Sequence, residues 1–309
     1  MLVLIAGITG DLGQRLASAA FSRGLSVRGL GRNPSKLHPD IYGKLESFVT
    51  SKNHYDIDAL DRSVNGVDGI ICAYNMDPVL TLEGGTLLLR AAERAGVKVF
   101  IAPTWNNDWS KINYGDFGHY DTHIAFQNYV ACNCSIKPIY IFTGYFADLF
   151  LTNFGPGYLT VDKDAKKASL RYWGDGNATK ISWSSRDDVA AYTIEIFING
   201  EGVQEGKGGF FRFRSGEISI EEFAENYRRV SGCETEVKRM GDVADLERDL
   251  ANLRLKHGRT GYFAYVSEAA ALMDIKGDWA LKADEVIVLD HVKRPQSFEE
   301  CLKEQLKLE

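Results

Sequence analysis

Two of the chain's six histidines, His119 and His123, stand four residues apart in the stretch GDFGHYDTHIAFQNYV. On a helix that spacing puts both imidazoles on one face. The pair could hold a metal, work as an acid/base pair, or sit as ordinary polar residues on a helix surface. A metal needs more than the sequence offers. The glutamate of an H-E-x-x-H motif is missing, and no third ligand is obvious beyond Asp116 or Asp121, so no metal is expected. Histidine titrates near pH ~6.5, so His123 has the chemistry to give a proton to an oxygen or take one from a phenol. Tyr120, three residues earlier, shares that face and is assigned a supporting catalytic role. His119 alone reads as a polar residue at a helix start.

Before these residues lies PTWNNDWSKINYGDFG, a loop crowded with Trp105, Trp109, Tyr114 and Phe117. Long irregular loops that follow a strand are often functional. Aromatic walls suit a flat, partly apolar ligand, so the four are candidate substrate-binding residues. The same crowding would serve a hydrophobic cluster that pins the loop.

The elements that must position these groups begin at the first residue. MLVLIAG is a short aliphatic run that predicts a buried parallel strand. GITGDLG follows, with Gly7, Gly10 and Gly13 in G-x-x-G-x-x-G spacing. QRLASAAFSRG then predicts a helix, with Leu12, Leu16, Ala19 and Ala20 on its inner face and Gly24 as its stop. Strand, glycine turn and helix make a phosphate-binding loop, in which the helix N-terminus offers free N–H donors. Gly7, Thr9, Gly10, Asp11, Leu12 and Gly13 are therefore read as cofactor-binding.

The second strand, LSVRGLGR, ends at Arg32, with Ser35 and Lys36 just beyond. An NAD site usually ends this strand with a carboxylate that binds the ribose. A guanidinium there can instead clamp a 2′-phosphate, so Arg32 and Lys36 point to NADP(H). Further strands end near Tyr74 and at Pro103 and Thr104, along the same rim. Between them LTLEGGTLLLRAAERAGV predicts a helix with a stripe through Leu82, Leu87, Leu88, Ala91 and Ala95.

The 309 residues suffice for one large domain or two moderate ones. Residues 1–150 are read as the NADP-binding domain. Residues 151–309 are read as a smaller substrate-binding or lid region with elements that return to the main sheet. In this half GDG at 174–176 marks a turn, a helix starts near Ser185, and Ser297 with Glu300 caps a terminal helix. A net charge of −6 argues against a nucleic-acid partner. No apolar run approaches membrane-spanning length. No leader is read in MLVLIAGITG, and the five cysteines fit reduced thiols, so a cytoplasmic monomer or homodimer is expected.

GITGDLG, GRNPSK, AAERAGVKVFIAPTW and GDGNATKISWSSRDDVAAYTIEIF resemble, in order, the NmrA-like and isoflavone-reductase-like family of atypical short-chain dehydrogenase/reductases. That resemblance implies a Rossmann-type doubly wound α/β domain carrying NADPH and a smaller α/β C-terminal part that closes over the substrate. It places Phe146 beside the nicotinamide. The family's catalysts reduce aromatic or phenolic molecules using a lysine on the helix after the fifth strand, and His123 stands there instead. The expected activity is NADPH-dependent reduction of a small aromatic or polyketide-like metabolite, with His123 as proton donor or substrate anchor. Two alternatives stay open: a non-catalytic NADP(H)-sensing regulator of the NmrA type, and a non-redox isomerase, cyclase or lyase on the same scaffold.

Overall fold

The computed structural model describes residues 1–307; the last two residues of the second region lie outside it. In chain order the strands are β1 (Leu2–Ala6), β2 (Ser26–Gly31), β3 (Ser47–Thr50), β4 (Gly69–Cys72), β5 (Val99–Ile101), β6 (Ile139–Phe142), β7 (Tyr145–Phe146), β8 (Thr160–Asp162), β9 (Lys167–Tyr172), β10 (Ile181–Ser184), β11 (Gly209–Arg212), β12 (Gly216–Ile218) and β13 (Glu234–Arg239). The helices are α1 (Asp11–Ser22), α2 (Pro39–Tyr42), α3 (Ile57–Val64), α4 (Gly85–Arg94), α5 (Asp121–Asn133), α6 (Arg186–Asn199), α7 (Ile220–Ser231), α8 (Val243–His257), α9 (Val266–Lys276) and α10 (Phe298–Leu306).

Seven parallel strands form the central sheet in the order β3-β2-β1-β4-β5-β6-β11. The inner strands LVLIA, GIIC, VFI and IYIF are almost wholly apolar because helices cover both faces of the sheet. The pleat divides β1 between two cores. Leu4 and Ala6 join Leu60, Leu88 and Phe126 on one face, while Val3 and Ile5 join Leu16, Ala17 and Phe197 on the other. This is the doubly wound Rossmann-type fold expected. The strand order reverses at β1 and β4, which opens a crevice beyond their carboxyl ends.

Two helix faces differ from the sequence reading. In α1 the buried residues are Gly13, Leu16, Ala17 and Ala20, with Leu12 and Ala19 half-buried. Ahead of α4 lies one π turn, Leu80–Gly84, whose wider winding displaces the apolar face. The buried positions become Gly85, Leu88, Leu89, Ala91 and Ala92, while Ala95 is exposed.

The C-terminal half builds the small sheet β13-β9-β8, joins β7 in a second, β12-β10-β7, and sends β11 back to the edge of the central sheet. Ser185 caps α6, and the fully buried Asp188 at its start accepts from Ser215 Oγ at 2.6 Å and from the Gln296 N–H at 2.9 Å. An ion pair with Lys293 adds a second tie from the C-terminal segment to Asp188. No helix among the described residues is long and apolar enough to cross a membrane.

Candidate functional site

A cleft of about 560 Å³ opens at the reversal point of the sheet, lined by Gly7, Thr9 and Gly10, by Arg32 after β2, and by Tyr74 after β4. Two glycines are required here. Gly7 has φ +80°, and a Cβ on it would come within 2.5 Å of the Ala73 carbonyl oxygen. A Cβ on Gly13 would come within 2.5 Å of the Gly7 carbonyl oxygen, so that glycine lets α1 close on the loop. Gly10 meets nothing nearer than 3.4 Å and faces the cleft.

No side chain caps the N-terminus of α1. Its first N–H groups, including those of Asp11 and Leu12, lack helical partners and suit a phosphate. The Asp11 carboxylate turns to Arg15 and Arg186, at 3.2 and 3.4 Å. Arg32 is exposed, lines the cleft and has no ion-pair partner among the described residues. Lys36 is exposed on the following short turn, outside the lining of the cleft. Together these groups fit a dinucleotide: unsatisfied donors for the pyrophosphate and a free cation where a ribose phosphate would lie. Sequence reasoning missed Ser51, Asn53 and His54 after β3, and Asn75 and Asp77 after β4, which complete the lining. Their signal was positional only, since each follows the carboxyl end of a strand.

The loop between β5 and α5 departs from the reading. Thr104 is buried, and its Oγ accepts the Ile141 N–H at 2.9 Å, clipping β6 to the loop beyond β5. It therefore does not border the cleft, and Pro103 is buried beside it. Trp105 is buried and donates to Thr193 Oγ on α6 at 2.8 Å. Trp109 is fully buried, stacked on His123 and edge-on to Tyr140 and Phe142. These two tryptophans are core residues and not substrate walls. Phe117 is buried edge-on against Trp279, while Tyr114 lies exposed under the Arg259 guanidinium. Phe146 is half-buried with Arg186 over its ring at 4.3 Å.

His123 is only 2% exposed. Its Nε2 lies 3.2 Å from the Asn106 amide, and burial first, then the neighbouring His119, pushes its pKa down to about 3. A neutral, enclosed imidazole that lines neither the cleft nor the cavity described below does not suit the expected proton donor. Tyr120 does meet His123, ring to ring at 5.9 Å, but it is buried and its hydroxyl accepts the Asn107 N–H at 3.3 Å. His119 bonds Tyr262 at 2.9 Å, and burial lowers its pKa to about 4. Among the described residues no group of three or more His, Cys, Asp and Glu is placed to hold a metal.

A second concavity lies under the C-terminal layer, between the segment at Gly155–Tyr158, β9 and α9. Tyr158, Trp173, Ile181 and Ile220 supply apolar walls, and Arg171 and Asp274 supply polar ones. The space within it is about 40 Å³. Arg171 lies over the Tyr158 ring at 3.7 Å and pairs with Glu268 at 2.9 Å, which leaves its Nε without a partner.

The NmrA-like family profile matches residues 1–300. The chain belongs to the NmrA-like family. A bifunctional pinoresinol-lariciresinol reductase of Linum usitatissimum is 28% identical over 247 residues, covering 74% of this chain and 75% of that one. A phenylcoumaran benzylic ether reductase of Ginkgo biloba is 26% identical over 203 residues, 62% and 63% of the two chains. The solved leucoanthocyanidin reductase–NADPH complex of Vitis vinifera superposes with a TM-score of 0.74 at 18% identity, over 99% of this chain and 100% of that one. At that identity the superposition shows the fold alone. The fold of this NmrA-like chain is thus shared along almost its whole length, while the two catalytic candidates at the start of its α5 helix are buried.

Proposed function

We propose that this protein binds NADP(H) and reduces a small aromatic metabolite by hydride transfer. The observation that carries this reading is the cleft at β1 and β4, where an uncapped helix N-terminus and an unpaired Arg32 face the same space. A bound dinucleotide would supply the hydride. Gly7 to Gly13 would hold its pyrophosphate through backbone N–H groups. Arg32, with Lys36 behind it, would hold the 2′-phosphate. Support also comes from the relatives, which are named as reductases of aromatic compounds.

His123 keeps the role of a buried brace in this proposal, since it holds Asn106 and stacks on Trp109. The same burial favours a second reading, a cofactor-sensing regulator without turnover. Parallel calorimetric titrations with NADPH, NADP+ and NADH test both. Tight NADPH binding and weak NADH binding are expected. No binding of any of the three would overturn both readings. Turnover of an aromatic carbonyl, followed by loss of nicotinamide absorbance, separates the reductase from the sensor.

A further inference from the structure

Asp11 is the first residue of α1 and follows Gly10 of the cleft directly. An acid at this position is a liability for anion binding. The free N–H groups and the positive end of the helix attract its own carboxylate as readily as a phosphate. Yet no side chain caps this terminus. The carboxylate stands between two guanidinium groups instead, 3.2 Å from Arg15 Nε and 3.4 Å from Arg186 Nε.

Both arginines are fixed by other partners. Arg186 leads α6, grips Asp148 with two nitrogens at 3.1 and 2.8 Å, and lies over the Phe146 ring at 4.3 Å. A carboxylate partner is thus already supplied, and the reach to Asp11 is an added contact. Arg15, one turn along α1 from Asp11, also donates to Asp187 and lies 3.8 Å from Glu304. The two arginine side chains are 28% and 25% exposed, against 56% for Asp11. The arginines are therefore the fixed parts, and the carboxylate is the part that could swing.

We infer that Arg15 and Arg186 form a clamp that holds the Asp11 carboxylate off the N-terminus of α1 and so keeps its N–H groups open for the dinucleotide pyrophosphate. The inference rests on the dinucleotide reading above and adds two positioning residues to it. Neither arginine lines the cleft, so both act through Asp11. Asp148, Asp187 and Glu304 accompany them, so the clamp brings no net positive charge that would itself draw the ligand. Its contribution is where it puts one carboxylate. Because α6 packs along α1, the clamp also makes the glycine loop depend on the C-terminal half of the chain.

The test is calorimetric titration of the full chain and its Arg15→Gln/Arg186→Gln variant with NADPH, NADP+ and NADH. Without the clamp the ligand must first displace Asp11 from the helix end. The worth of a side-chain cap then predicts affinity lowered roughly three- to thirtyfold. The three ligands share the pyrophosphate, so the factor should be the same for each. Adding Asp11→Ala removes the carboxylate and keeps the backbone N–H, which should restore affinity to within about threefold of wild type. Wild-type affinity in the arginine variant would overturn the clamp. So would a loss that Asp11→Ala does not reverse, because the arginines would then act through the fold and not through Asp11. A loss that spares NADH would place them at the 2′-phosphate and overturn it as well. Should the double variant not fold, Arg186→Gln with and without Asp11→Ala makes the same comparison at a smaller loss. Wild type that binds none of the three would overturn the dinucleotide reading itself, and the clamp with it.

Discussion

Arg212 on the edge strand β11 donates from Nε to the fully buried Asp108 carboxylate at 2.7 Å. That contact anchors the β5–α5 loop to a strand delivered from the C-terminal half. Ser110 shares the carboxylate, and Lys111 lies 3.5 Å from it. Removing the guanidinium leaves a buried charge with a weaker partner set, a change that typically costs about 3–5 kcal/mol. Arg212→Ala should therefore lower the denaturant midpoint well below that of an exposed control such as Arg248→Ala, and Lys111 should hold the loss near the lower figure. Equal midpoints for the two variants would show that the pair does not carry the loop.

Arg32 should discriminate between cofactors. Charge-assisted hydrogen bonds contribute about 1.5–3 kcal/mol, which is roughly a ten- to hundredfold change in affinity. Arg32→Ala should weaken NADPH by about that factor and leave NADH nearly unchanged. A Lys36→Ala variant should have the smaller effect, because Lys36 lies outside the lining of the cleft. Equal losses for NADPH and NADH would place Arg32 away from the 2′-phosphate.

The glycine loop allows a sharper comparison. At Gly13 an added methyl meets the Gly7 carbonyl oxygen at 2.5 Å, while at Gly10 the nearest atom is 3.4 Å away. Gly13→Ala should lower Tm by several degrees and weaken the dinucleotide. Gly10→Ala should keep its Tm yet lose affinity, since its methyl would project where the ligand approaches. Two variants with the same Tm loss would show that the loop is strained as a whole.

These outcomes bear on what the sequence could reveal. The glycine spacing, Arg32 and the apolar runs of β1, β4 and β5 were readable because each follows from a local rule of backbone approach, charge or period. The loop at Trp105–Phe117 was not. A tryptophan after a strand can turn inward or outward, and only the partners Thr193 and Tyr140, far along the chain, decide that Trp105 and Trp109 face the core. His123 misled for the same reason: the spacing placed it beside Tyr120 correctly, but nothing local says that Trp109 covers it. Asp274 gave no signal, since an acid within SEAAALMDIKG looks like any polar residue on a helix until Tyr145 and Trp279 are seen to meet it.

The buried histidine makes a prediction about pH. His123 is held neutral, with a pKa of about 3, whereas in the unfolded chain it titrates near ~6.5. The unfolded state then binds the extra proton first, so stability rises with pH through this window. The contribution of His123 is fully present above the unfolded value and is lost as pH falls from there toward the folded one. At pH ~5 the loss is on the order of 2 kcal/mol. Asp274 acts in the opposite sense: its raised pKa contributes stability below the ordinary carboxyl value, and this is lost as pH rises through about 7. Across pH ~4–6.5 the two slopes oppose each other, so wild-type Tm should change little there. His123→Gln, which cannot titrate, should keep only the Asp274 slope and gain Tm as pH falls, despite a lower Tm at neutrality. Asp274→Asn should keep only the His123 slope and lose Tm steeply over the same acid window. Parallel slopes for wild type and His123→Gln would mean that His123 is reached by solvent, which would reopen its place in the chemistry.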